Sequence, residues 1–140
     1  MRKINSLIVH CSDTPEGKDF TVEDIRGWHV RERGWRDIGY HFVVYRDGTV
    51  HEGRDISIRG AHCKGHNKNS IGICYIGGRD TSMEKAKDTR TEEQKETLIF
   101  MSKYLKNEYP DITIYGHRDF ADKDCPSFDA TSEYKYISDI

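Results

Sequence analysis

Residues 70–78, "SIGICYIGG", are apolar almost without interruption instead of on alternate positions. A strand of that kind is buried on both faces, so it belongs near the centre of a sheet. Its neighbours decide the layers. "LIVH" at residues 7–10 is a short buried strand, and "DITIYGH" at 111–117 is another. "YHFVVYRDGTVHEG" at 40–53 has two strand-like halves around Asp47-Gly48, the signal of a hairpin with a two-residue turn. Helices lie between these strands. "TVED" at 21–24 has the form of a capping box with Asp in place of Glu. It opens a helix through "IRGWHVRER", stopped by Gly34, with Ile25, Trp28 and His29 along its inner stripe. Thr91 with Gln94 makes a second box, opening a helix to about Asn107, and Pro110 follows. Residues 79–90 are polar and predict a loop; 129–140 predict a short, fraying terminal helix. The interleaving predicts one α/β domain spanning residues 1–140, a mixed central β-sheet flanked by helices, rather than a barrel or bundle.

A chain of 140 residues is long enough to bury a core as one domain. Its net charge of -2 gives no electrostatic reason to expect a nucleic-acid partner. No apolar run approaches the ~18 residues of a membrane span, so no membrane insertion is expected. The start, "MRKINSLIVHCSD", holds two basic residues before "LIV", but Asn5, Ser6 and His10 leave no apolar stretch of ~7 residues. Cytoplasmic synthesis without a signal peptide is therefore expected, and a monomer. The four cysteines, Cys11, Cys63, Cys74 and Cys125, form no CxxC pair. Without an export signal, neither a disulfide framework nor a zinc ribbon is the default. The absence of a GxSxG elbow argues against a serine hydrolase.

His10 ends one strand and His117 ends another, and strand C-terminal ends are common ligand sites in α/β folds. A hydrolytic zinc centre needs three protein ligands and one open position, a set that His10, His117 and Cys125 can supply. The alternative is two hydrogen-bonded structural histidines and a small buried thiol. Cys125 sits between Asp124 and Pro126, unlike Cys74 in its apolar run, and that favours function. Lys123, two residues before Cys125, is either a solvated lysine or the partner of an oxyanion. Tyr40 is either a core tyrosine or a phenol facing the site; alternation puts Tyr40 and His41 on opposite faces. Cys11 follows His10 on a strand and should point away from it. "GAHCKGHNKNSIG" has the composition of a binding loop, in which His62, His66, Asn67 and Asn69 are candidates to bind a peptide or sugar; the alternative is a polar connector with Asn in turn positions. A cysteine protease using Cys11 or Cys125 with a histidine is a further reading.

Five blocks occur in order: "IVHCSDT", "GYHFVVYRDGTVHEGRD", "GAHCKGHNKNSIGICYIGG", "GHRDF" and "KDCPSFD". Together they resemble the zinc-dependent N-acetylmuramoyl-L-alanine amidases, a family that includes phage amidase lysozymes and peptidoglycan-recognition proteins. The resemblance implies Zn²⁺ as cofactor with His10, His117 and Cys125 as its ligands, and Tyr40 and Lys123 as catalytic residues. It implies cleavage of the amide between N-acetylmuramic acid and the L-alanine of the stem peptide, with peptidoglycan or muropeptide as the partner. Acting on the wall then requires release, for example through a holin. Relatives that bind muropeptide without cutting it typically lack the ligand at the Cys125 position; this chain keeps it, which favours the enzyme over a recognition module.

Overall fold

The computed structural model describes residues 2–140. In chain order the elements are β1 (Ser6–Cys11), β2 (Thr14–Pro15), α1 (Val22–Gly27), β3 (Phe42–Val44), β4 (Val50–Glu52), β5 (Ser70–Tyr75), β6 (Gly78–Arg79), α2 (Glu92–Glu108), β7 (Thr113–Gly116), α3 (Ala130–Glu133) and α4 (Lys135–Ser138). Five strands form one sheet in the order β4-β3-β5-β1-β7, and β2 pairs with β6 apart from it. The apolar run beginning at Ser70 supplies β5, the middle strand, as its composition predicts. β1 is parallel to both β5 and β7, β3 is parallel to β5, and only β3 and β4 are antiparallel.

Alternation along these strands separates two faces. Leu7, Val9 and Cys11 of β1, with Ile71, Ile73 and Tyr75 of β5, join the core under Leu98, Met101 and Leu105 of α2. The opposite face carries Ile8 and His10 of β1 and Ser70, Gly72 and Cys74 of β5 in the same register. There Val43 packs with Val22 and Ile25 of α1, Ile38 and Ile76. Cys11 therefore does lie on the face away from His10.

Both helix starts follow the capping-box chemistry. Thr21 and Asp24 exchange side-chain-to-backbone hydrogen bonds at α1, and Thr91 and Gln94 do so at α2. After Gly27 the first helix widens into a π-helical turn, Trp28–Glu32, before Gly34 takes a positive φ of 70°.

Four local expectations change. The hairpin loop has three residues, not two: Tyr45 N–H donates to Thr49 O and Gly48 N–H donates to Tyr45 O. Of the loop residues only Gly48 takes positive φ, at 88°, whereas a two-residue type I′ turn requires it twice. Asp47 instead accepts from the Thr49 amide and hydroxyl through Oδ1. The first hairpin strand starts at Phe42, so Tyr40 precedes it. The polar stretch after Ile76 is not all loop, because it holds β6 and a bridge between Arg79 and Ala86. The terminus does not fray as one helix; it forms two short helices with Tyr134 and Ile137 fully buried. Arg90 explains why. Its buried guanidinium donates to Asp88, to both oxygens of Glu133 and to the Tyr134 hydroxyl.

Candidate metal centre and cleft

Three separate stretches meet at one edge of the sheet. β1 delivers His10 onto the face opposite α2, and β7 ends at Gly116, so His117 opens a 3-10 turn beside it. The following loop returns Cys125, with Arg118 N–H donating to Cys125 O at 2.8 Å. One ligand atom each from His10, His117 and Cys125 lies within 4.8 Å of the others. The Nδ1 of His10 is 3.8 Å from Cys125 Sγ, and the two histidine rings are 4.6 Å apart. The Cys11 backbone N–H donates to Cys125 Sγ at 3.2 Å, a contact that favours a thiolate.

The donor set fits a divalent metal such as zinc. Burial, then the nearby His62, His117 and Lys123, hold the His10 pKa well below the ordinary value; burial and Lys123 lower that of His117. Both imidazoles are thus neutral, as ligands must be. The neighbouring Cys11 side chain and burial push the Cys125 thiol up, a cost that a bound divalent cation offsets. Two neutral nitrogens and one sulfur are three protein donors, the number a hydrolytic zinc site would use, whereas a closed structural site would use four.

The Tyr40 ring lies tilted at 52° to that of His10 with centroids 5.0 Å apart, and burial raises its phenol pKa well above normal, so the hydroxyl keeps its proton and can donate it to a hydrogen bond. Lys123 is exposed and lines two adjoining cavities, of about 420 and 600 Å³, that share Arg33 and His117 with it. The first also holds Tyr40, Cys125, Asp13 and Arg79; the second holds Trp35, His62, Asn67 and Phe120. His117 lines both cavities and Cys125 the first, so the cleft extends to both sides of His117, with His10 buried behind it.

The candidates for substrate binding separate. His62 is buried, with Nδ1 at 2.8 Å from His10 Nε2 and Nε2 at 3.2 Å from Ser70 Oγ. Asn67 lines the second cavity, but its Oδ1 accepts the N–H groups of both His62 and Cys63. Asn69 donates to Lys3 O and directly precedes Ser70, which pairs with Ser6 at the start of β1. That is the opposite end of the strand from His10, roughly 13 Å away at ~3.3 Å per residue. His66 stacks on Phe120 at 4.1 Å, at the rim of the second cavity. Arg33 and Trp35 were not singled out by sequence: they flank the helix-stopping Gly34, and no spacing marks such a pair as part of a cleft.

A family model described as N-acetylmuramoyl-L-alanine amidase matches residues 1–128. The endolysin of Enterobacteria phage K11 is 42% identical over 128 residues, covering 91% of this chain and 83% of the relative. Among solved structures, the N-acetylmuramoyl-L-alanine amidase LysC from Clostridium intestinale superposes with a TM-score of 0.78 at 30% identity, over 99% of this chain and 85% of that one. The Drosophila peptidoglycan-recognition protein LB gives a TM-score of 0.79 at 26% identity, over 96% and 81%.

Proposed function

The chain belongs to the N-acetylmuramoyl-L-alanine amidase family, and from that premise we propose that His10, His117 and Cys125 hold a catalytic zinc while Tyr40 and Lys123 act on the scissile amide. The enzyme is a peptidoglycan-lytic amidase, cutting between the lactyl group of N-acetylmuramic acid and the L-alanine of the stem peptide. The observation that carries the metal reading is the convergence of two neutral imidazoles and a thiol, all within 4.8 Å, beside two cavities that both reach His117.

Zinc bound there supplies a Lewis acid that polarises the amide carbonyl and lowers the pKa of a coordinated water. The rest falls to the chain. The cleft orients the amide with the glycan on one side of the three donors and the peptide on the other. The Lys123 ammonium, exposed at the rim, meets the negative charge that develops on the carbonyl oxygen as the tetrahedral intermediate forms. A sulfur donor leaves the metal less electrophilic than three imidazoles would, so this second cation matters. The Tyr40 phenol, fixed against His10, donates a hydrogen bond to the attacking water or to the intermediate. A monomer suffices, since every group comes from one chain. No helix among the described residues is long and apolar enough to cross a membrane. Delivery to the wall through a separate release route such as a holin belongs to this proposal.

Digestion of purified sacculi with and without a chelator, read by mass spectrometry, tests this. Free stem peptides beginning with L-alanine, lost on chelation and restored by Zn²⁺, are expected. Severed glycan with intact lactyl-alanine amides overturns the reaction, and tight binding of sacculi without any product indicates a recognition module.

A further inference from the structure

His62 touches the candidate metal centre without belonging to it. The donor-side nitrogen of His10 is Nδ1, 3.8 Å from Cys125 Sγ, while Nε2 points the other way, to His62 Nδ1 at 2.8 Å. One proton occupies that short contact. If His62 supplied it, a neutral His10 would carry its own proton on Nδ1, and no lone pair would face the site. Ligation through Nδ1 requires the other arrangement, with the proton on His10 Nε2, and the far side of His62 accommodates it. Its Nε2 lies 3.2 Å from Ser70 Oγ, a hydroxyl that can accept a proton held there, and His62 Nδ1 is then free to accept from His10.

The fold makes room for this ring and grips it. A Cβ on Gly72 would come within 2.6 Å of His62 Cγ, and one on Gly60 within 2.7 Å of its Cδ2. Two glycines therefore flank the imidazole where any side chain would displace it. Asn67 Oδ1 fixes the backbone by accepting the N–H of His62 and of Cys63, each at 3.0 Å.

We propose that His62 is a positioning residue that acts through His10: as acceptor from Nε2–H it fixes the His10 tautomer and presents Nδ1 to the metal, with Ser70 fixing His62 in turn. This rests on the zinc reading for its consequence but not for its first test. Outer partners of ligand histidines commonly change metal affinity by about 10–100-fold.

The experiment has two parts. Two-bond ¹H–¹⁵N correlation spectra of the chelator-treated wild-type protein report which nitrogen of His10 is protonated. Protonation at Nε2 is expected; protonation at Nδ1 overturns the proposal whatever any variant does. Zinc dissociation constants are then measured by competition with a chromophoric chelator for wild type, His62→Leu and His62→Asn, with circular dichroism as a check on folding. Leu removes the acceptor, and a loss of about 10–100-fold is expected. Asn keeps an oxygen near the Nδ1 position and should recover most of it. A folded Leu variant with wild-type affinity, or a folded Asn variant as weak as Leu, overturns the proposal. Ser70→Ala, which leaves the His62 ring in place, should mix the His10 tautomers; an unmixed spectrum overturns the role of Ser70. If wild type takes up no zinc yet shows Nε2 protonation, the metal reading fails and the tautomer assignment stands.

Discussion

Lys123 and Cys125 stand two residues apart in one loop, yet they are proposed to do separable work. Cys125 Sγ is turned inward beside His10, with the Cys11 amide donating to it. The Lys123 ammonium is exposed, and no carboxylate pairs with it among the described residues. Lys123→Ala should therefore leave one zinc per chain and lower kcat by about 10²–10³, the usual effect of removing one oxyanion partner. Cys125→Ser should lose the metal and the activity together. Metal content and turnover, measured on the same preparations, check both; unchanged turnover in zinc-loaded Lys123→Ala removes the lysine from the mechanism. Cys125 stood out in the sequence because Asp124 and Pro126 are poor neighbours for a core thiol. His62 stood out only as a candidate for binding a peptide or sugar, not as a partner of His10, because its contacts with His10 and Ser70 are set by strand register and by the space over Gly72, neither of which leaves a spacing rule. Asn69 looked like a binding residue from composition alone; its amide is spent on Lys3 O at the far end of β1.

Gln94 shows how an element carries more than its local motif states. In the pattern Thr-x-x-Glu/Gln, either residue closes a capping box. In this chain Gln94 Oε1 accepts from Thr91 N–H, while its Nε2 donates to Val44 O at the end of β3 and to Ile76 O just past β5. The side chain is fully buried, so it ties the start of α2 to the ends of two strands. Gln94→Glu keeps the box but replaces the two donors by a carboxylate facing two carbonyls. With about 1–3 kcal/mol for each buried group left unpaired, a loss of at least ~2 kcal/mol is expected. Urea titration measures it, and a loss near zero would mean the two carbonyls find other partners. The helix start was legible because capping is local. The hairpin loop and the docked C-terminal helices were not. Asp47-Gly48 fits two turn types, and Tyr134 and Ile137 become core against residues of β1, β5 and α2, with Tyr134 held by Arg90, all distant from them in sequence.

For the molecule as a whole, fold class followed from alternating strands and helices, but strand order did not, because β1 lies between β5 and β7 in space and before both in sequence. That crossover order lets one sheet edge gather His10, His117 and Cys125, and it also buries histidines that take no part in ligation. His29 Nδ1 accepts from Gly39 N–H at 2.9 Å, and His41 Nδ1 accepts from Gly72 N–H at 3.0 Å. Protonating either ring breaks an N–H···N bond as well as burying a charge. The pKa of each is lowered to about 4, by burial first and then, for His29, by Arg33 and Arg54; for His41, Arg2 and Arg54 act with burial against a backbone bond to Ile58. The unfolded chain takes up these protons near the ordinary histidine value of about 6.5. Between about 6.5 and 4 the unfolded state thus binds more protons than the folded one, so stability falls as pH falls through that window. Aspartates held low lose their contribution only further down: Asp88, where burial opposes the combined pull of Arg90, and Asp37, where it opposes Arg26, titrate below the ordinary aspartate range. Thermal melts of chelator-treated protein should show a flat midpoint above pH 7 and a steady decline from about 6.5 to 4, before the carboxylates titrate. A midpoint constant down to pH 4.5 would mean that these histidines are not held neutral by the fold. Zinc in excess should raise the upper part of the curve, by about 2.7 kcal/mol at a hundred times its dissociation constant, and the gain should shrink in acid as protons compete for the ligands.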